Sequence, residues 1–113
     1  MIKKGNKVIA RHVVLQTGFR KYVGLMFKKR LVDTGYLFDF EVVRVPVVFH
    51  MWFVFFPIDV VFLDDNFKVV DIKRNFKPWT TYASKCVCRY VLELPEGDAN
   101  SVRVGDKLSI EFD

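Results

Sequence analysis

Residues 45–65 read VPVVFHMWFVFFPIDVVFLDD. The stretch holds five of the twelve Phe, one of the two Trp and one of the two His, and no Lys or Arg. Its first nineteen residues, 45–63, are long enough to be tested as a membrane helix. His50, Pro57 and Asp59 interrupt them, and a carboxylate inside a span is costly. The composition is β-branched and aromatic, which suits strands, and Pro57 cannot donate to a sheet ladder. The stretch therefore reads as two buried strands, 47–54 and 58–63, bent at 55–57.

Downstream, Asp64-Asp65-Asn66 is a turn, and 67–74 returns as the partner of 58–63. Residues 75–85 read as an irregular loop anchored by Pro78 and Trp79, with the indole over the core edge. Residues 86–94 read as a long strand, with Val87, Arg89, Val91 and Glu93 on one face and Cys88, Tyr90, Leu92 and Leu94 on the other. Pro95 ends it, 97–102 allows a short helical turn, and 107–112 is a last strand. Upstream, 7–15 alternates as a first strand. Thr17 suits a helix N-cap, and Phe19, Tyr22, Val23 and Met26 follow as one apolar stripe. Lys28, Lys29 and Arg30 suit the end of that helix. Asp33-Thr34-Gly35 then reads as a turn leading into a strand at 36–40. The fold class is mainly β (α+β): a small antiparallel barrel or rolled sheet of about seven strands with one or two short helices.

Length and composition agree with one domain spanning 1–113. Apolar residues make up 51% and aromatics 16%, enough to supply a core without disulfides. The net charge of +5 arises from short groups, such as Lys3, Lys4 and Lys7 or Lys73, Arg74 and Lys77. Acidic residues lie between most of them, which argues against nucleic acid as the leading partner. Cys86 and Cys88 are too close for an unstrained disulfide. With His12 and His50 they would make four zinc ligands, but their spacing gives that set no support, and no metal or cofactor is expected. The N-terminus lacks the apolar run of a signal peptide, so the expected location is cytoplasmic and the expected state a monomer or weak dimer.

No glycine-rich phosphate loop or nucleophile elbow is present. Asp59 is the residue that a purely structural block would not need. A buried carboxylate is costly unless hydrogen-bonded or paired, so Asp59 should accept backbone N–H groups or meet an arginine such as Arg20 or Arg89. If the two strands pair as a hairpin around Phe55 and Phe56, His50 comes within its reach, as a His-Asp pair able to do acid-base work or bind a ligand, or equally as a satisfied polar pair in the core. Glu93, in VLELPEG, is a second carboxylate that could face the same cleft.

The chain resembles the family catalogued as domain of unknown function 192 from about residue 12 to 110. The resemblance rests on Arg20 with Gly24-Leu25-Met26, then Gly35-Tyr36-Leu37-Phe38-Asp39-Phe40, Phe49-His50-Met51 and Phe56-Pro57-Ile58-Asp59. It continues through Lys77-Pro78-Trp79, Val91-Leu92-Glu93-Leu94-Pro95-Glu96-Gly97 and Val104-Gly105-Asp106. Many bacterial members look like Phe-Trp-Met-Lys-Asn-Thr where this chain has Phe49-His50-Met51-Trp52-Phe53-Val54, so any role of those polar residues does not carry over. The resemblance implies a compact, mainly β domain with short helices; it assigns no activity, because the family's function is itself unassigned.

Neither the residues nor the resemblance names a ligand or a reaction. The best reading is a small non-enzymatic binding domain for a small molecule or protein, with an apolar pocket near the Pro57 bend. Met26, Phe38, Phe49 and Trp79 would wall it, and Arg20, His50, Asp59 and Glu93 would supply its polar contacts. One alternative is a hydrolase or isomerase using His50 with Asp59 or Glu93. Another is a nucleic-acid-binding β-barrel.

Overall fold

The computed structural model describes residues 1–16, 32–40, 48–50, 56–85 and 87–112, with residues 16 and 48–50 as backbone only. The strands among them are β1 (Ile2–Lys4), β2 (Lys7–Ala10), β3 (His12–Gln16), β4 (Thr34–Asp39) and β5 (Val48–His50). They continue with β6 (Ile58–Leu63), β7 (Val69–Phe76), β8 (Thr81–Ala83), β9 (Tyr90–Pro95) and β10 (Ser109–Ile110). The chain is mainly β, as expected.

A five-stranded sheet, in the order β3-β4-β9-β6-β7, forms the centre. β6 and β9 lie inside it, and every residue of Ile58–Leu63 is buried. That two-sided burial is why the sequence of β6 shows an unbroken apolar run instead of alternation. Strand alternation then divides the core into two. On one face Leu37, Val61, Leu63, Val69, Leu92 and Leu94 pack with Ile2, Ile9, Ala10, Ala99, Val102 and Leu108. This face is covered by the three-stranded sheet β10-β1-β2 and the turns after β9. The other face carries Phe38, Phe56, Ile58, Val60, Phe62, Phe76 and Val91, with Tyr36 and Tyr82 packed against them. Tyr82 belongs to β8, which pairs with β5 in a separate two-stranded sheet.

Several expectations are corrected. The sheets do not close into a barrel: β3 and β7 remain opposite edges of the central sheet. Layering buries both faces, which removes the need for closure. The stretch 7–15 is two strands in different sheets, divided at Arg11, whose N–H donates to Asp33 Oδ1 at 3.2 Å. β3 pairs parallel with β4, so the central sheet is mixed. Among the described residues there is no helix. The expected helix after Thr17 lies outside the described residues. The expected helical turn at 97–102 is a run of single turns instead, closed by Asp98 N to Pro95 O, Asn100 N to Gly97 O and Val102 N to Ala99 O. Gly97 at φ +92° breaks any helical continuity.

Gly35 has a different purpose from the turn expected there. It lies within β4, and a Cβ at that point would stand 2.7 Å from Ile2 Cδ1 and 3.0 Å from Leu92 Cδ1. The small residue lets β1 cross the central sheet closely. The hairpin read at Asp64-Asp65-Asn66 is present: Asp64 Oδ1 accepts from the N–H groups of Asn66 and Lys68 at 2.8 and 2.9 Å.

Candidate binding site

The register between β6 and β9 decides what the two candidate carboxylates can do. Asp59 stands opposite Leu94, and Val60 stands opposite Glu93. Neighbouring positions on a strand point to opposite faces, so Asp59 and Glu93 are on different sides of the central sheet. They therefore do not face one cleft, the arrangement that the sequence allowed but did not require.

Asp59 is 1% exposed, and its oxygens are occupied by backbone donors. Oδ1 accepts from Asn75 N at 2.9 Å, and Oδ2 from Gly97 N at 3.0 Å and Ala99 N at 3.2 Å. One side chain thus ties the end of β7 and the turn after β9 to β6. Asp59 meets no arginine among the described residues. Arg89 instead pairs with Asp39, Nε to Oδ1 at 3.2 Å, and lies 3.7 Å from Asp65.

The hairpin meant to bring His50 to Asp59 is also absent. β5 pairs antiparallel with β8, placing His50 opposite Thr81, while β6 pairs with β7 and β9. Pro57 therefore marks a departure from one sheet to another, not a turn within one. Arg20 and Met26 lie outside the described residues, and the side chains of Phe49 and His50 are not described. Phe38 is fully buried on the aromatic face. Trp79 is 52% exposed and adopts φ +63°, an unusual backbone for a bulky residue.

Glu93 has an environment unlike that of Asp59. It is 7% exposed, and its Oε2 is buried without a hydrogen-bond partner among the described residues. It sits in a cross-strand row: Tyr36 on β4, Glu93 on β9, Val60 on β6 and Lys73 on β7. Val60 separates it from Lys73, whose Nζ lies 5.5 Å from the centre of the Tyr82 ring. Burial among apolar groups pushes the Glu93 carboxyl up to about 8. At neutral pH it is a protonated acid, able to donate one hydrogen bond and accept another.

Tyr82 roofs this face. Its ring packs against Phe62 at 5.8 Å and Phe76 at 6.3 Å between centroids. Its hydroxyl donates to Asp71 Oδ2 at 2.7 Å, which also accepts from Lys85 N at 2.8 Å. Cys88 is buried in the same cluster. Among the described residues no three His, Cys, Asp or Glu side chains gather as metal ligands. No helix among them is long and apolar enough to cross a membrane.

A shallow concavity of about 350 Å³ lies at the end of β7 and is lined by Lys73, Arg74, Asn75, Lys77, Thr80 and Thr81. Of the expected apolar wall residues that are described, neither Phe38 nor Trp79 lines it. The sequence shows Lys73, Arg74 and Lys77 as a charge group, but its lesson there was only scattered basicity. Tyr36, the cross-strand neighbour of Glu93, carried no functional signal beyond its place in Gly35-Tyr36-Leu37-Phe38.

Comparison with known proteins agrees with this architecture. Residues 1–110 match the model of the DUF192 family, described as "Uncharacterized ACR". A UPF0127 protein of Pyrococcus horikoshii is 38% identical over 91 residues, covering 79% of this chain and 77% of its own. A UPF0127 protein of Pyrococcus furiosus is 33% identical over 109 residues, covering 95% of this chain and 92% of its own. A crystal structure of a proposed transcription regulator from Sinorhizobium meliloti superposes with a TM-score of 0.79 at 31% identity, over 86% of this chain and 79% of that one.

Proposed function

The chain belongs to the DUF192 family, and from that premise we propose that it is a small non-enzymatic binding domain whose aromatic face, beside the Pro57 bend, receives a small ligand through Glu93. One observation carries the reading: a carboxyl with a buried, unpartnered oxygen in an apolar wall. Leaving such an atom without a hydrogen bond costs about 1–3 kcal/mol, a cost that a ligand's polar group would relieve. A protonated carboxyl that both donates and accepts is complementary to a carboxamide. Its cross-strand neighbour Val60, with Phe38 and Phe62 of the same apolar cluster, suits a flat apolar body on that ligand.

The hydrolase or isomerase alternative has less support, because the three backbone N–H groups on Asp59 leave that residue a structural tie. Titration with benzamide, followed by NMR, tests the binding reading. Amide shifts concentrated at residues 36–38 and 91–95, and absent in Glu93→Leu, are expected. Shifts that survive in Glu93→Leu, or no shifts at all, reject it.

A further inference from the structure

The basic concavity at the end of β7 belongs to neither core. β7 is an edge strand, and lysines on an edge have a bland role in discouraging sheet-to-sheet pairing. Three features go beyond that role. First, the lining brings Lys73, Arg74 and Lys77 together with two threonines and an asparagine, and among the described residues it includes no acidic one.

Second, the cations are held from behind. Arg74 Nη2 donates to Ala99 O at 3.3 Å and to Val102 O, and Lys73 rests over the Tyr82 ring. Positioning of this kind lowers the entropic cost of meeting an anion. Third, the backbone around the hollow is unusual. Asn75 and Trp79 are at φ +51° and +63°, in the left-handed region that non-glycine residues seldom adopt. The consequence is an indole, 52% exposed, set between Lys77 and Thr80 in the chain.

We propose that this concavity takes the phosphate of a nucleotide, free or within a single strand, and that the exposed Trp79, which lies in the chain between the lining residues Lys77 and Thr80, stacks on the base. Lys73, Arg74 and Lys77 neutralise the phosphate, and the Thr81 hydroxyl is available as a further donor, whereas that of Thr80 donates to Lys77 O. A cationic hollow beside an exposed aromatic is the combination by which single strands are held without sequence preference. The scattered basic groups elsewhere are not needed for it.

Fluorescence anisotropy of a short fluorescein-labelled oligothymidylate is the test, with thymidine monophosphate as competitor. Binding is expected at low salt and should weaken as salt rises. Removing Lys73 and Lys77 as alanines should flatten the salt dependence by about one unit of slope per lysine. Trp79→Ala should weaken binding about tenfold. Lys77→Glu is a second variant at an exposed position, and the melting temperature of each variant controls for folding. Competition by the monophosphate assigns the site to a single nucleotide, and competition by the strand alone assigns it to nucleic acid. No binding at low salt, or binding of equal affinity in folded Lys77→Glu and Trp79→Ala, overturns the proposal.

Discussion

Asp59 and Glu93 are both buried, yet opposite consequences follow from substituting them. Asp59→Ala would strand the N–H groups of Asn75, Gly97 and Ala99, a loss of about 3 kcal/mol or more, read as a large drop in melting temperature. Asp59→Asn keeps one acceptor oxygen and should cost less. Glu93 behaves the other way. Its folded carboxyl titrates near 8, against an ordinary 4.5 in the unfolded chain. Between those values the folded state holds the extra proton, so stability is greatest at the acidic end and falls as pH rises through 8. The slope reaches about 1.4 kcal/mol per pH unit. Chemical denaturation at pH 5 and pH 8.5 should show this decline in the parent chain and a flatter profile in Glu93→Gln. The sequence made half of this visible. An Asp in an apolar run must be satisfied, and backbone donors were among the partners expected. Their identity was hidden, because Gly97 N reaches Asp59 from 38 residues away. Glu93 showed itself only as one carboxylate in an alternating strand, and nothing local reveals which face is dry.

At the scale of elements, local pattern and long-range pairing part company. The turn at Asp64 and the alternation of β7 were legible because the Asp64 side chain and neighbouring residues build them. The pairing of β5 with β8 was not, since no turn residue joins Val48–His50 to Thr81–Ala83. Pro57 signalled a break correctly but could not say that the chain changes sheets there. In the sequence Gly35 reads as a turn residue because glycine commonly is one; its close approach to Ile2 and Leu92 depends on β1 lying across β4. Gly35→Ala should therefore destabilise the fold by about 1–3 kcal/mol through overpacking. Ile2→Val would shorten the clashing side chain and recover part of the loss in a double-mutant melt.

For the whole molecule, two cores on either side of one sheet answer for its size. The composition announced ample apolar surface but not its division, and a barrel was the simpler way to bury it. The face under β10-β1-β2 depends on Leu108, 2% exposed, whose N–H also donates to Phe67 O at 3.0 Å. Leu108→Ala should cost about 2–5 kcal/mol, and hydrogen exchange should then quicken in β1 and β10 more than in β8. The pairing of β1 with β10 sets Ile2 opposite Ile110. On a ribosome, Ile2 emerges long before its partner Ile110. At roughly 5–20 residues per second, the interval between them is on the order of 5–20 s. Until then the sheet over the first core lacks an edge and Leu108 is missing from its interior. Throughout that interval the nascent chain carries an apolar face uncovered, the form in which a holding chaperone would meet it.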